Sequence, residues 1–187
     1  MSSFKMIAVS NRGMCKDGLT HQIRRIAKIN KPDMLILREK DMTPEEYTTL
    51  AREVIAVCDE AGIECVLHSF IEAAIELGHK KIHLPMPLLE KYKDSLGGFD
   101  LIGASTHSID EVRRAESLGA HYVTLSNVFE TDCKPGKAAE GVVWLDEICK
   151  AVDMPIYALG GINRDNIDMI RSTSVAGACM MSGYMKI

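Results

Sequence analysis

Two pairs of small residues near the carboxyl terminus have the type and spacing of an anion-binding site. Gly160 and Gly161 follow an apolar run at 156–159, and Ser182 and Gly183 follow a second run at 177–181. Glycine lets backbone N–H groups approach an anion closely, and a helix that begins after such a turn adds its positive dipole end. The alternative is that these glycines only shape turns. The loops after the last two strands of a β/α barrel commonly bind phosphate, so the pairs together predict a phosphate-ester site.

Apolar runs and segments of helical periodicity alternate along the rest of the chain. Residues 6–9 and 34–37 read as strands, and 19–29 as the helix between them. Thr43, Pro44 and two following acids then give the signature of a helix start, as an N-cap, a first-turn proline and a negative first turn. Continued to the end, the pattern predicts eight strands and seven helices.

Strands that are apolar on both faces need helices on both sides, which predicts the α/β class. Eight such strands favour a closed (β/α)₈ TIM barrel over an open doubly wound sheet, with one domain over residues 1–187. Few residues follow Ser182, so we expect the last helix to be truncated or absent. An uncovered apolar seam is unfavourable, which predicts a homodimer.

Composition limits the partners. The 187 residues are 47% hydrophobic and carry a formal charge of −4, which fits one core and offers no basic block for nucleic acid or an anionic membrane. The six cysteines are scattered, and we interpret them as reduced thiols in a cytoplasmic protein, since the sequence shows neither a leader nor a spanning run. The expected partner is a small phosphate ester.

Charged residues at predicted strand ends suggest how the anion is held. Arg38 and Lys40 are two residues apart and lie on the same side of an extended chain, where they can clamp a phosphate. The alternative is a solvated cluster of charges with Glu39. In the loop 129–136, Thr131 and Lys134 can reach the charged end of a ligand, or the loop is a surface turn built on Pro-Gly.

Histidines at strand ends supply candidate proton carriers. His68 and His107 end the third and fifth predicted strands, where a neutral imidazole can move a proton near pH 7. Each has the alternative of a structural, hydrogen-bonded histidine. His83 ends the fourth strand and fits a packing role equally well.

Four ordered segments resemble the thiamine phosphate synthase/TenI family. They are LREKD at 37–41, IGASTHS at 102–108, VFETDCK at 128–134 and ALGGI at 158–162. The resemblance covers the whole chain and implies the same barrel, with thiazole and pyrimidine phosphates as ligands. It assigns pyrophosphate or phosphate to one set of residues and thiazole phosphate to another: the first is Arg38, Lys40, Ser105, Thr131 and Lys134, and the second is Gly160, Gly161, Ser182 and Gly183.

The family has two activities, and the motifs distinguish them. The synthase joins a hydroxymethylpyrimidine diphosphate to a thiazole phosphate with Mg²⁺ assistance, but the family's metal-binding acids are replaced by His68-Ser69 and by LPMP at 84–87. Mg²⁺ needs oxygen ligands such as carboxylates. The FETDCK motif is similar to that of the TenI branch, whose known member is a thiazole tautomerase that needs no metal. That branch places a histidine where this chain has Asn127, and an amide can position a ligand but cannot exchange a proton.

The sequence therefore favours metal-independent thiazole tautomerisation without a cofactor, with His107 or His68 as proton carrier and Asn127 as an active-site amide. One alternative is thiamine phosphate synthase, with Mg²⁺. Another is a non-catalytic thiazole-phosphate-binding or regulatory protein. A different small phosphate-binding barrel is a more distant alternative.

Overall fold

Short runs of apolar residues, buried on both faces, form a closed parallel barrel. The computed structural model describes residues 4–130 and 139–187, and within them neighbouring strands pair in sequence order, with the eighth closing on the first. This confirms the predicted TIM barrel. The strands are β1 Lys5–Val9, β2 Met34–Leu37, β3 Glu64–His68, β4 Lys81–Pro85, β5 Leu101–Thr106, β6 Tyr122–Ser126, β7 Ile156–Leu159 and β8 Gly177–Met180.

Helices follow the strands and cover the outside of the barrel. The described residues form α1 Leu19–Ile29, α2 Pro44–Ala61, α3 Ile71–Glu76, α4 Met86–Tyr92, α5 Ile109–Ser117, α6 Gly141–Lys150, α7 Ile167–Arg171 and α8 Ser182–Met185. Short 3-10 segments occupy Arg12–Met14 and Lys93–Gly98. The sequence predicted seven helices, and the eighth is α8, whose four residues are too few to show a helical period.

Capping residues set the start of two helices that border the site. Thr43 accepts from the N–H of Glu46, and the Glu46 carboxylate accepts from the N–H of Thr43, so the capping box forms in full. Ser108 likewise accepts from the N–H of Glu111. The Glu111 carboxylate, however, accepts from the N–H of His107, one residue earlier than a capping box requires. This shift ties the acid to a candidate catalytic residue.

Alternate residues of each strand separate the core into an inner and an outer part. Ile7 and Val9 point into the barrel and pack with Met34 and Ile36, whereas Ala8 belongs to the layer between strands and helices. The interior also holds Tyr122 and Tyr157, so that aromatic side chains fill the barrel below its mouth. The inner layer therefore forms the floor of any site at the carboxyl ends of the strands.

The short α8 closes part of the seam that was expected to lie open. Tyr184 and Met185 are buried, and the side-chain amide of Gln22 in α1 donates to the carbonyl of Tyr184 at 2.6 Å. The chain's own α8 thus covers part of this seam. Among the described helices, none combines the length and the apolar character needed to cross a membrane.

Candidate functional site

A cavity of about 1240 Å³ opens at the carboxyl ends of the strands. Most of the site residues predicted from the sequence lie on its wall, although they are far apart in the chain. They are Arg38, Lys40, His68, Ser105, His107, Asn127, Gly160, Gly161 and Ser182. Gly183 lies one residue further along, in α8, and is not part of the wall. Thr131 and Lys134 lie outside the described residues.

The glycine turn after β7 has a conformation that only glycine adopts easily. Gly160 and Gly161 have φ values of 110° and 64°. A Cβ on Gly161 would collide with the backbone carbonyl of Glu130 and lie 2.7 Å from the Cβ of Phe129. The N–H of Phe129 also donates to the carbonyl of Gly160 at 3.1 Å. Part of the requirement for glycine here is therefore structural, because the turn packs against the chain that follows β6.

The same turns leave amide hydrogens available at the cavity. Within 4–130 and 139–187, no hydrogen bond is made by the backbone N–H groups of Gly160, Gly161, Ser182 or Gly183. Strands β7 and β8 are paired neighbours, so the two turns lie side by side. Backbone N–H groups without protein acceptors are the groups that bind a phosphate oxygen in a glycine-rich turn.

The loop after β2 is held by a buried carboxylate, that of Glu39. Glu39 accepts from Ser10 Oγ at 2.6 Å and from the backbone N–H of Arg12 at 3.0 Å. Ser10 Oγ in turn accepts from the backbone N–H of Arg38 at 2.7 Å. Glu39 is thus engaged with Ser10 and Arg12, which differs from the solvated charge cluster considered from the sequence. The network fixes the backbone that carries Arg38.

A second acid completes this support. The guanidinium of Arg12 bonds both carboxylate oxygens of Asp41 at 2.6 and 2.8 Å, and holds the pKa of that carboxyl below its usual value. Arg38 and Lys40 lie on either side of Glu39 and line the cavity. The arrangement presents two cations to the mouth, one of them on a braced backbone.

Two buried imidazoles form the deeper wall. The rings of His68 and His83 stack with centroids 5.5 Å apart. Burial is the main cause that lowers the pKa of His68, with His83 and the cations adding to it, and burial lowers the pKa of His83 to about 3. Both imidazoles are therefore neutral at pH 7. A neutral imidazole can accept a proton or donate its ring N–H, but it adds no positive charge.

His107 stands at the rim, in a different environment. Its side chain is 41% exposed, and its Nδ1 lies 3.2 Å from Glu111 Oε2. The same carboxylate oxygen accepts from the backbone N–H of His107 at 2.6 Å. An acid that holds one imidazole nitrogen orients the ring. Of the predicted proton carriers, His107 is the one with a carboxylate partner.

Asn127 is the most unusual polar residue of the site. It is 1% exposed, and neither atom of its amide has a hydrogen-bond partner among the described residues. Its side chain packs directly against the Cα of Gly160. A buried amide without partners is unfavourable by about 1–3 kcal/mol for each unsatisfied group. Asn127 is thus a candidate for direct contact with a ligand seated on the glycine turn.

Among the described residues, two carboxylates line the cavity, those of Glu111 and Glu130. No group of three His, Cys, Asp or Glu side chains within 4–130 and 139–187 has the geometry of a metal site. The carboxylate of Glu111 is shared with His107, and that of Glu39 with Ser10 and Arg12. The helix α4 begins directly after β4 with Met86-Pro87, which supplies no acid. Since Mg²⁺ binds through carboxylate oxygens and waters, we assign no step of the chemistry to a metal held by these residues.

Sequence reasoning missed two parts of the site. The bracing by Ser10 and Glu39 depends on contacts between β1 and β2 that no local pattern encodes. His83 was expected at a strand end, with a packing role as an equal alternative, and its bonds to Ser105 and Tyr122 inside the barrel were not foreseen. One signal was present, because Gly103 interrupts an otherwise apolar strand, and a glycine inside a strand often marks a close approach by another group.

Known proteins with similar sequences give a consistent result. A family profile described as thiamine monophosphate synthase matches residues 6–184. The chain is 28% identical to the thiamine-phosphate synthase of Syntrophomonas wolfei over 98% of its own length and 90% of that protein. It is 32% identical to the thiamine-phosphate synthase of Bacillus velezensis over 78% of its own length and 67% of that protein.

A solved structure supports the fold. Thiamine phosphate pyrophosphorylase from Pyrococcus furiosus superposes with a TM-score of 0.86 at 24% identity, and the match covers 100% of this chain and 89% of the other. At 24% identity this similarity supports the fold alone. The family profile spans nearly the whole barrel, from β1 into α8. The chain therefore belongs to the thiamine monophosphate synthase family.

Proposed function

We propose that this protein is a transferase that joins a hydroxymethylpyrimidine diphosphate to a thiazole phosphate and releases pyrophosphate. Relatives named thiamine-phosphate synthase support this activity above the tautomerisation favoured by the sequence motifs. The observation that carries the proposal is that one cavity holds two sets of anion-binding groups. Arg38 and Lys40 line it after β2, and the amides of Gly160, Gly161 and Ser182 line it after β7 and β8. A reaction between a diphosphate and a monophosphate needs both.

Each set has a distinct task in this reaction. The glycine turns hold the monophosphate of the thiazole, and Arg38, Lys40 and Ser105 hold the diphosphate, with Thr131 and Lys134 assigned to the same anion. The C–O bond to the diphosphate breaks, and its electron pair leaves with pyrophosphate. The lone pair of the thiazole nitrogen forms the new C–N bond, which leaves a positive charge on the ring. Cations beside the leaving group stabilise the charge that develops on it.

The test is a pyrophosphate-release assay with the purified protein. We expect release only when both substrates are present, and we would compare added Mg²⁺ with added chelator. Release with both substrates supports the proposal in either condition, and the comparison shows whether the substrate's own diphosphate needs a divalent cation. The proposal fails if no pyrophosphate appears in any condition.

Thiazole tautomerisation is the second candidate, and one observation favours it. The described mouth offers imidazoles, and no group of three His, Cys, Asp or Glu side chains there has the geometry of a metal site. Tautomerisation needs an anion-binding site and a group that moves one proton between carbon and nitrogen. His107 is the first candidate for this group, because it lines the cavity and Glu111 orients its ring, and the buried His68 is the second.

The two activities are separated by their substrate requirement. A tautomerase converts the thiazole carboxylate phosphate alone and releases no pyrophosphate. Replacing His107→Asn and His68→Asn singly identifies the proton carrier, since only the true carrier abolishes turnover while ligand binding persists. Binding of thiazole phosphate without turnover of any substrate would instead indicate a non-catalytic binding protein.

A cytoplasmic location and a homodimer are part of this proposal. The dimer no longer follows from an open seam, because Tyr184 and Met185 are buried against the chain's own α1 region. Exposed apolar side chains on the helices, such as Ile75 at 62% and Val143 at 70% exposure, are its remaining support. Light scattering of the purified protein measures the oligomeric state directly.

A further inference from the structure

Three polar side chains form a hydrogen-bonded chain from the barrel interior to the cavity. The hydroxyl of Tyr122 lies 3.1 Å from His83 Nδ1, and His83 Nε2 lies 2.9 Å from Ser105 Oγ. Tyr122 and His83 are 3% and 1% exposed, whereas Ser105 is half-buried and lines the cavity. This series of hydrogen bonds thus begins at the buried phenol of Tyr122 and ends at the hydroxyl of Ser105, which a ligand can reach.

Gly103 makes this contact possible. In the sheet register, His83 on β4 pairs with Gly103 on β5, and Gly103 pairs with Tyr122 on β6. A Cβ on Gly103 would lie 2.5 Å from His83 Nδ1 and would overlap the ring of Tyr122. Because the middle strand has no side chain at this level, residues two strands apart meet across it. The glycine inside β5 therefore serves the contact between His83 and Tyr122.

The direction of the hydrogen bonds follows from the partners available. His83 is neutral, so one ring nitrogen carries a proton and the other accepts one. Among the described residues, the hydroxyl of Tyr122 has only His83 as a partner. If the imidazole donated to this hydroxyl, the buried phenolic hydrogen would have no acceptor, which is unfavourable. Tyr122 therefore donates to Nδ1, and the proton of His83 resides on Nε2.

This arrangement determines what Ser105 offers to a ligand. The Nε2–H of His83 donates to Ser105 Oγ, so this oxygen accepts a hydrogen bond within the protein. The hydroxyl hydrogen of Ser105 is then available to donate to a ligand in the cavity. Thr124 Oγ1 lies 3.5 Å from Nε2, a distance at which it competes weakly. A hydroxyl that must donate is suited to an acceptor-only group, such as a phosphate oxygen.

We propose that Tyr122 and His83 are positioning residues that make Ser105 a hydrogen-bond donor to a phosphate oxygen of the diphosphate substrate. The inference rests on the proposed function for the identity of that substrate. Tyr122 and His83 do not touch the ligand in this proposal. They determine that Ser105, which does touch it, acts as a hydrogen-bond donor. It also gives the fully buried His83 a role other than proton transfer.

Two measurements test this relay from Tyr122 through His83 to Ser105, and the first does not depend on activity. Long-range ¹H–¹⁵N spectra of the ¹⁵N-labelled protein report which nitrogen of His83 carries the proton, with His83→Gln used for assignment. We expect the proton on Nε2 in the parent protein and a shift of population toward Nδ1 in Tyr122→Phe. The second measurement is calorimetric affinity for inorganic pyrophosphate as the probe.

The affinities follow a double-mutant design. Tyr122→Phe should weaken pyrophosphate binding about three- to tenfold, as expected when one hydrogen bond is weakened. In a Ser105→Ala background, Tyr122→Phe should have no further effect, because its action passes through that hydroxyl. Tyr157→Phe is the matched control, since Tyr157 lies edge-on to Tyr122 with ring centroids 5.5 Å apart and does not bond His83. We expect its pyrophosphate affinity to equal that of the parent.

Several results would overturn the relay. A proton on Nδ1 in the parent contradicts the assigned polarity. Equal losses of affinity from Tyr122→Phe with and without Ser105 would show that the phenol acts on stability alone, as would an equal loss from Tyr157→Phe. A parent that turns over its substrates but shows no pyrophosphate affinity refutes the relay and leaves the proposed function standing. Binding of pyrophosphate with no turnover refutes only the latter.

Discussion

The glycine turn after β7 allows a sharp comparison between two Gly→Ala substitutions. Gly161 and Gly78 have nearly equal φ values, 64° and 63°. At Gly78 a Cβ would meet nothing within 4 Å, whereas at Gly161 it would collide with the Glu130 carbonyl and lie 2.7 Å from Phe129 Cβ. The backbone strain of the left-handed conformation is thus common to both variants. The difference between them isolates the contact at the mouth.

The expected magnitudes follow from these two contributions. The left-handed conformation of a residue with a Cβ is unfavourable by roughly 1–2 kcal/mol, and this is the full effect expected for Gly78→Ala. Overpacking adds about 1–3 kcal/mol, so Gly161→Ala should lose roughly 2–5 kcal/mol of unfolding free energy in urea. The turn must also shift, because the colliding atom belongs to the backbone. We expect the affinity for thiazole phosphate to fall at least about tenfold, or ~1.4 kcal/mol.

The assay pairs urea unfolding with calorimetric titration of thiazole phosphate into each variant. Gly78→Ala should bind as the parent does, since Gly78 follows α3 and precedes β4, at the end of the barrel away from the mouth. Parent-like affinity in Gly161→Ala, with its stability lowered as expected, would refute the claim that this turn holds the phosphate. So would an equal loss of affinity in both variants.

Three further predictions concern the buried network and the cations. Tyr47→Phe removes a hydroxyl that donates to the carbonyl of Leu37 at 2.7 Å and accepts from the N–H of His68 at 2.9 Å; it should lower unfolding free energy by about 2–4 kcal/mol in urea, and a loss below about 1 kcal/mol would contradict this. His68 and His83 have lowered pKa values in the fold, so their contribution to stability should be complete above the unfolded pKa near 6.5. Below that pH the unfolding free energy should fall by up to ~1.4 kcal/mol per pH unit for each histidine. His83→Gln should reduce this slope, and a pH-independent urea midpoint between about pH 7 and 5 would refute the assignment. Arg38→Gln should raise KM for the diphosphate about tenfold or more and leave the affinity for thiazole phosphate within about twofold; the reverse pattern would exchange the two anion sites.

Much of the barrel was predictable because its signals are local. Alternating apolar runs and helical periods gave the order of elements, and the bounds of α1 and β2 agree with those read from the sequence. The N-cap at Thr43 and the first-turn proline also form as predicted. The four residues of α8 were missed because one turn shows no periodicity. The bond from the N–H of His107 to Glu111 was also missed, because it lies one residue outside the usual capping-box pattern.

The site was predictable where position along a strand decides it. Arg38 and His107 directly follow strands and Ser105 lies near the carboxyl end of β5, and the carboxyl ends of all eight strands meet at one mouth. The partners of His83 were not predictable, because its contact with Tyr122 depends on the register of three strands. Periodicity tells which face a residue takes, but it does not tell which neighbours share its level.

The notch left by Gly103 makes positions 83, 103 and 122 interdependent. A larger residue at 103 has no room until the ring at 122 becomes smaller, and a smaller ring at 122 leaves a void until 103 grows. Redesign of the barrel floor therefore has to replace these residues together, since a single substitution at 103 or 122 creates either a steric clash or a cavity.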